Sequence, residues 1–154
     1  MAGLDERAKR IIESGKAHGE TRFESVPGSA GRVISGRLLP GTDLLTGIKD
    51  FTLHHNIRAG AIMVAFGSLA SGEVTWKEGS KPDPNMKNQR LRLEGPLSFL
   101  ASQGKVGISE EGEAFVHLHG VLSDLEGKTW GGHFYDGNTP VFSTFELVIM
   151  EIEG

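Results

Sequence analysis

The stretch Phe115–His133 holds three of the six histidines in the chain, together with Asp124-Leu125-Glu126-Gly127-Lys128 and the pair Gly131-Gly132. Phe115-Val116-His117-Leu118-His119 alternates in the two-residue period of a β-strand, which puts His117 and His119 on one face. The commonest three-residue hairpin loop is a type I turn followed by a left-handed residue, usually Gly. With Leu125-Glu126-Gly127 as that loop, Asp124 faces Lys128, and pairing steps outward until His119 faces His133. Directly opposed Cβ atoms lie roughly 5 Å apart and diagonal ones roughly 7–8 Å. That spacing lets His117, His119 and His133 close on one metal ion. A slip of one residue would face His133 with Leu118 and lose the site. Three histidines leave the fourth position of a tetrahedral zinc open, the pattern of catalytic rather than structural sites. A divalent metal so held lowers the pKa of bound water to about 7 and polarises carbonyl or phosphoryl oxygens.

Each of these residues also has a plainer reading. A lone His-x-His is more often a pair of ordinary strand histidines, and it is the hairpin register that argues for a ligand set. Gly131 and Gly132 either mark a bulge or leave room beside the metal. Chemistry at the metal would need a proton-transfer group. Glu146, a carboxylate among Phe145, Leu147 and Val148, is the candidate catalytic residue, with a salt bridge to Arg37 as its structural alternative. His54 and His55 are further ligand candidates, but they stand at the end of a helix, where imidazoles more often complement the dipole.

The elements that must position these groups follow from periodicity. Leu4, Ala8, Ile11 and Ile12 have helical spacing, and Gly15 to Gly31 reads as a loosely ordered arm, so residues 1–31 precede a domain of 32–154. Arg32–Leu39 is a first strand ended by Pro40-Gly41. Thr42 as N-cap and Asp43 in the first turn start the one main helix, with Leu44, Leu45, Ile48, Phe51 and His55 on one face and an end near Asn56. Ala59–Phe66 is a continuous apolar run, as in a strand covered on both faces. Gly67 and Gly72 bracket a turn into Glu73–Lys77. Residues 78–87 form the longest irregular loop, a candidate lid or subunit contact. Gln89–Glu94, Pro96–Ser102 and Lys105–Ser109 are short strands, and Val141–Met150 is the strongest strand of all. One helix among about seven or eight strands joined by tight turns gives a single α+β domain with a mostly antiparallel sheet.

Composition narrows the classes. The 154 residues are 38% hydrophobic and 23% charged, and 22 are glycine. That glycine content is about twice ordinary usage and fits many tight turns. The net charge of −4 supplies no global field for nucleic acid or anionic membrane. With no cysteine, disulfides, thiolate nucleophiles and Cys-ligated zinc are excluded, and a cytoplasmic location is expected. No apolar run approaches the ~20 residues that span a bilayer, and Met1–Gly19 does not read as a signal peptide. Phosphate-loop, dinucleotide and Gly-x-Ser-x-Gly signatures are absent.

Arg37-Leu38 before Pro40-Gly41-Thr42-Asp43, then Gly67-Ser68-Leu69, His117-Leu118-His119, Gly131-Gly132-His133 and Thr144-Phe145-Glu146-Leu147-Val148-Ile149 occur in the order seen in the PPC (plants and prokaryotes conserved) domain. From about Arg32 to Glu151 the chain resembles stand-alone prokaryotic members of that family. The resemblance implies a strongly bent sheet, assembly as a homotrimer, and a zinc (or similar divalent) site at His117, His119 and His133 open to a small-molecule ligand or substrate. Whether such a site senses or catalyses is left open by the residues. Plant members carry AT-hook segments for DNA. This chain has no Arg-Gly-Arg-Pro core, so a DNA-associated regulator is the alternative reading and not the expected one. Phe145 departs from the family, which usually has a small residue there.

Overall fold

A computed structural model of the protein describes Glu6, Arg10 and residues 25–76 and 89–154. Of the expected N-terminal helix only Glu6 and Arg10 are described, both helical. The loop 78–87 and most of the expected arm lie outside the described residues.

From residue 25 onward the order is β1 (Ser29–Leu38), α1 (Leu44–His54), β2 (Ala59–Trp76), β3 (Gln89–Ile108), β4 (Ala114–Ser123), β5 (Thr129–His133) and β6 (Val141–Glu153). The strands form one bent antiparallel sheet in the order β1-β6-β2-β3-β4-β5, and β5 also pairs with β2. Six strands replace the expected seven or eight, because β2 and β3 run straight through positions that read as breaks. Gly67 is the reason in β2. A Cβ there would lie 2.7 Å from Phe145 Cα, so this glycine lets β6 come close instead of turning the chain. The register with β6 shifts between Gly67 and Leu69, and again between Ile62 and Val64. Bulges of this kind bend a strand without ending it.

The helix starts one residue later than expected. Thr42 is used up in the Pro40-Gly41 turn, donating its N–H to Leu39 O at 3.1 Å. Asp43 is the N-cap, its Oδ1 accepting from Thr46 N at 3.1 Å. Leu44, Leu45 and Ile48 are buried in a core that also takes Phe99, Leu118, Leu122, Phe134, Phe145, Leu147 and Ile149. Each such side chain contributes about 1.5–3 kcal/mol by leaving water. Phe145 is fully buried, with its ring 5.1 Å from that of Phe99. Phe99 in turn meets Phe134, the residue after His133, at 5.2 Å.

Ala59–Phe66 is covered on one face only. Ile62 and Ala65 are buried, while Met63, Val64 and Phe66 are exposed. Register places Val33, Val64, Phe66, Val148 and Met150 together on the outer face of β1, β6 and β2. Among the described residues from 25 onward, no helix is long and apolar enough to cross a membrane.

Candidate metal centre

The hairpin forms with the expected loop. Asp124 N donates to Lys128 O at 3.0 Å, Gly127 N to Asp124 O at 3.1 Å, and Gly127 has φ +78°, the left-handed position a glycine fills without a Cβ clash. The Asp124 carboxylate locks this turn. Its Oδ1 accepts from Glu126 N (3.0 Å) and Lys128 N (2.9 Å), and its Oδ2 from Trp130 Nε1 (3.3 Å). Desolvation alone would raise the Asp124 pKa, but the bonds from Trp130, Lys128 and Glu126 outweigh it and hold the carboxyl below its ordinary value. Pairing then runs from Ser123–Thr129 to His119–His133.

The three histidines gather on the outer face. His117 Nε2 lies 3.1 Å from His119 Nε2, and His133 Nδ1 lies 3.3 Å from the same atom. One ligand nitrogen from each ring falls within 4.8 Å of the others. Two tetrahedral ligands at zinc–nitrogen distances of about 2.0–2.1 Å sit roughly 3.3 Å apart, so both short separations fit a shared ion. Protons fit less well. The single His119 Nε2 faces two other nitrogens, and a neutral imidazole nitrogen offers either one N–H or one lone pair. Partial burial, and then the neighbouring His119 and His117, lower the pKa of His133, which keeps it in the neutral form that coordinates. The donor set fits a divalent metal.

The two glycines of β5 have different jobs. A Cβ on Gly132 would lie 3.0 Å from the Thr75 carbonyl carbon and closer still to its oxygen. Here β2 meets β5, with Thr75 opposite His133 and its Oγ1 donating to His133 O at 3.3 Å. On Gly131, the nearest atoms to a Cβ would be Gly120 O at 3.2 Å and Val121 Cγ2 at 3.5 Å. Gly132 serves packing; Gly131 leaves open space on the histidine face.

The other candidates lie elsewhere. Glu146 pairs with Arg37 at 2.7 Å, opposite Phe66 on β2. His133 sits opposite Thr75, nine positions further along β2, a path of about 30 Å at strand rise. The Arg37 ion pair is the structural alternative stated for Glu146 in the sequence. His54 and His55 end α1, with the His55 ring on Phe51 at 4.5 Å and its carbonyl accepting from Arg32 at 2.7 Å.

Sequence reasoning missed the flanking groups. Lys105 faces His117 and Gln103 faces His119 from β3, and the Tyr135 ring lies edge-on to His133 at 4.4 Å. The signal for Lys105 and Gln103 was present. Ser109–Glu113 makes the same turn as Asp124–Lys128: Ser109 N donates to Glu113 O (2.9 Å), Gly112 N to Ser109 O (3.0 Å), and Gly112 has φ +85°. The stepping that pairs His119 with His133 would have paired Lys105 with His117.

The model of the Plants and Prokaryotes Conserved (PCC) domain matches residues 25–153. The chain is similar to a crystal structure of a plant- and prokaryote-conserved protein from Pyrococcus horikoshii, with a TM-score of 0.72, 27% identity and 86% of each chain covered. A metal-containing protein from Archaeoglobus fulgidus has the same fold, with a TM-score of 0.72, 24% identity, and 86% of this chain and 87% of that one covered. Among curated proteins it is 28% identical over 148 residues to the bifunctional protein GlmU of Synechococcus sp. (strain JA-3-3Ab), covering 94% of this chain and 22% of that protein. The chain thus spans about a fifth of the length of the curated relatives it matches.

Proposed function

This chain belongs to the Plants and Prokaryotes Conserved (PCC) domain family, and from that premise we propose that it is a homotrimeric metal-binding domain in which His117, His119 and His133 hold one zinc or similar divalent ion, with the fourth position open to a small-molecule ligand or substrate. One observation carries the metal reading: the nitrogens of His117 and His133 lie 3.1 and 3.3 Å from the same His119 Nε2, the spacing of ligands around one ion. A divalent ion there supplies Lewis acidity toward a carbonyl or phosphoryl oxygen. The chain's own residues do the rest. Asp124 and the Leu125–Gly127 loop fix the register, Thr75 anchors the end of β5, and Gln103 and Lys105 border the site from β3. The metal-containing A. fulgidus protein shares the fold.

Trimer formation is supported by the outer face of β1, β6 and β2. Val33, Phe66 and Phe142 are 67%, 48% and 53% exposed, an apolar patch of the kind that marks an interface. Glu146 and Arg37 lie on this face, so an ion pair inside a subunit contact is the role proposed for Glu146 in place of catalysis.

Elemental analysis tests the metal reading. Wild type and His55→Ala given zinc should each retain one ion per chain after desalting, and His119→Ala should retain none. Equal zinc in all three would overturn it.

A further inference from the structure

The outer face of β3, β4 and β5 is a grid of three rows set by register. Lys105 and His117 form the first row, Gln103, His119 and His133 the second, and Ala101, Val121 and Gly131 the third. Along the strands the rows are two residues apart, or about 7 Å. Charge, metal ligands and apolar surface therefore follow one another in that order.

A groove of about 350 Å³ lies over the third row, and its lining includes Ala101, Gln103, His119, Val121 and Gly131. It touches the ligand set at His119. Its floor is open because Gly131 has no side chain, and a Cβ there would be less crowded, at 3.2 Å from Gly120 O, than one on the next glycine. No carboxylate stands in any of the three rows. Lys105 is exposed and makes no ion pair among the described residues.

Resting on the metal reading above, we infer that the ligand is a short-chain aliphatic monocarboxylate. Its carboxylate takes the open metal position, beside the Gln103 amide as donor and Lys105 as counter-charge. Its hydrocarbon chain runs toward the third row, over Gly131 and against Val121 and Ala101. The row spacing sets the length: about 7 Å accommodates a chain of some four to six carbons. A longer chain would leave the grid, and a dicarboxylate would put its second charge on the apolar row.

The protein loaded with cobalt(II) provides the test, because the visible bands of cobalt respond to exchange at the open position. Acetate, butyrate and hexanoate are titrated separately, and metal content is measured on the same samples. Affinity should rise from acetate to hexanoate by two- to fourfold per methylene, the upper value being that for full burial. Compared at equal metal content, Gly131→Ala, which puts a methyl group on the groove floor, should lower hexanoate affinity more than acetate affinity. Val121→Ser should flatten the chain-length series without filling the groove. Lys105→Gln should weaken all three acids by a similar factor. Wild type that takes up no metal overturns the metal reading and this inference together. Metal held, with acetate and hexanoate binding equally well, overturns the inference alone.

Discussion

Replacing Gly132 by alanine should cost the site its metal although no ligand is touched. The added Cβ would stand 3.0 Å from the Thr75 carbonyl carbon and closer to the oxygen. Carbon atoms rest about 3.5–4.0 Å apart, so β5 must move about 0.5–1 Å from β2. Both obstructing atoms are backbone, and neither can swing aside. The shift falls one residue from His133, whereas metal–ligand distances tolerate about ±0.2 Å. His133 is then lost as a ligand. Four-ligand zinc sites release about 10–16 kcal/mol, or about 3 kcal/mol per ligand, so affinity should drop about 100-fold. Overpacking should also cost the metal-free fold about 1–3 kcal/mol. Gly131→Ala is the control. Its Cβ meets Gly120 O at 3.2 Å and Val121 Cγ2 at 3.5 Å, a smaller conflict than at Gly132, so its zinc affinity should fall less. Competition against a chromogenic zinc chelator gives both affinities, and urea unfolding in chelator gives the metal-free stabilities. Equal zinc affinities for the two variants would refute the argument that contact with β2 aims His133.

Other outcomes follow from the fold and its charges. Light scattering at micromolar concentration should give three times the 16.6 kDa chain mass, and Phe66→Glu, on the outer apolar face, should give monomers; a monomeric wild type refutes the trimer. The Arg32 hydrogen bond holds the Glu151 carboxyl below its ordinary value, so the unfolded chain binds the proton more tightly. The pair's stabilisation is therefore complete above the unfolded value of about 4.3 and lost as pH falls through the lower folded one. Urea midpoints should fall more steeply from pH 5 to pH 3 for wild type than for Glu151→Gln, and parallel curves would count against the pair. Duplex DNA should not bind with submicromolar affinity at ~150 mM salt, since phosphate binding needs clustered cations. Of Lys77, Lys81, Lys87, Arg90 and Arg92 only the two arginines are described, paired to Glu73 and Glu94 at 3.2 and 3.1 Å; a salt-sensitive gel shift in that range would refute this expectation.

What could be read from the chain was what is local. The Asp124–Lys128 turn carries its own instructions in five residues, so the His119–His133 register followed from counting. The start of α1 was legible to within one residue because Thr42 and Asp43 are both good caps and only the Pro40-Gly41 turn decides between them. Gly67 misled, because a glycine that admits a neighbouring backbone looks the same as one that makes a turn until the neighbour is known. Thr75 was invisible for the same reason. It meets His133 across 58 residues, and nothing near either residue announces the pairing.

The short sequence distance between the ligands has a thermodynamic corollary. His119 and His133 are 14 residues apart, with a hairpin turn between them. Loop-closure entropy grows only as about 1.5 RT ln n, so the open chain can bring the same three imidazoles together at modest cost. On the proposed metal reading, zinc then has affinity for the unfolded ensemble as well as for the native state. Ligand-induced stabilisation depends on the difference between those affinities. The rise in melting temperature on adding zinc should therefore fall short of the value computed from the native dissociation constant alone.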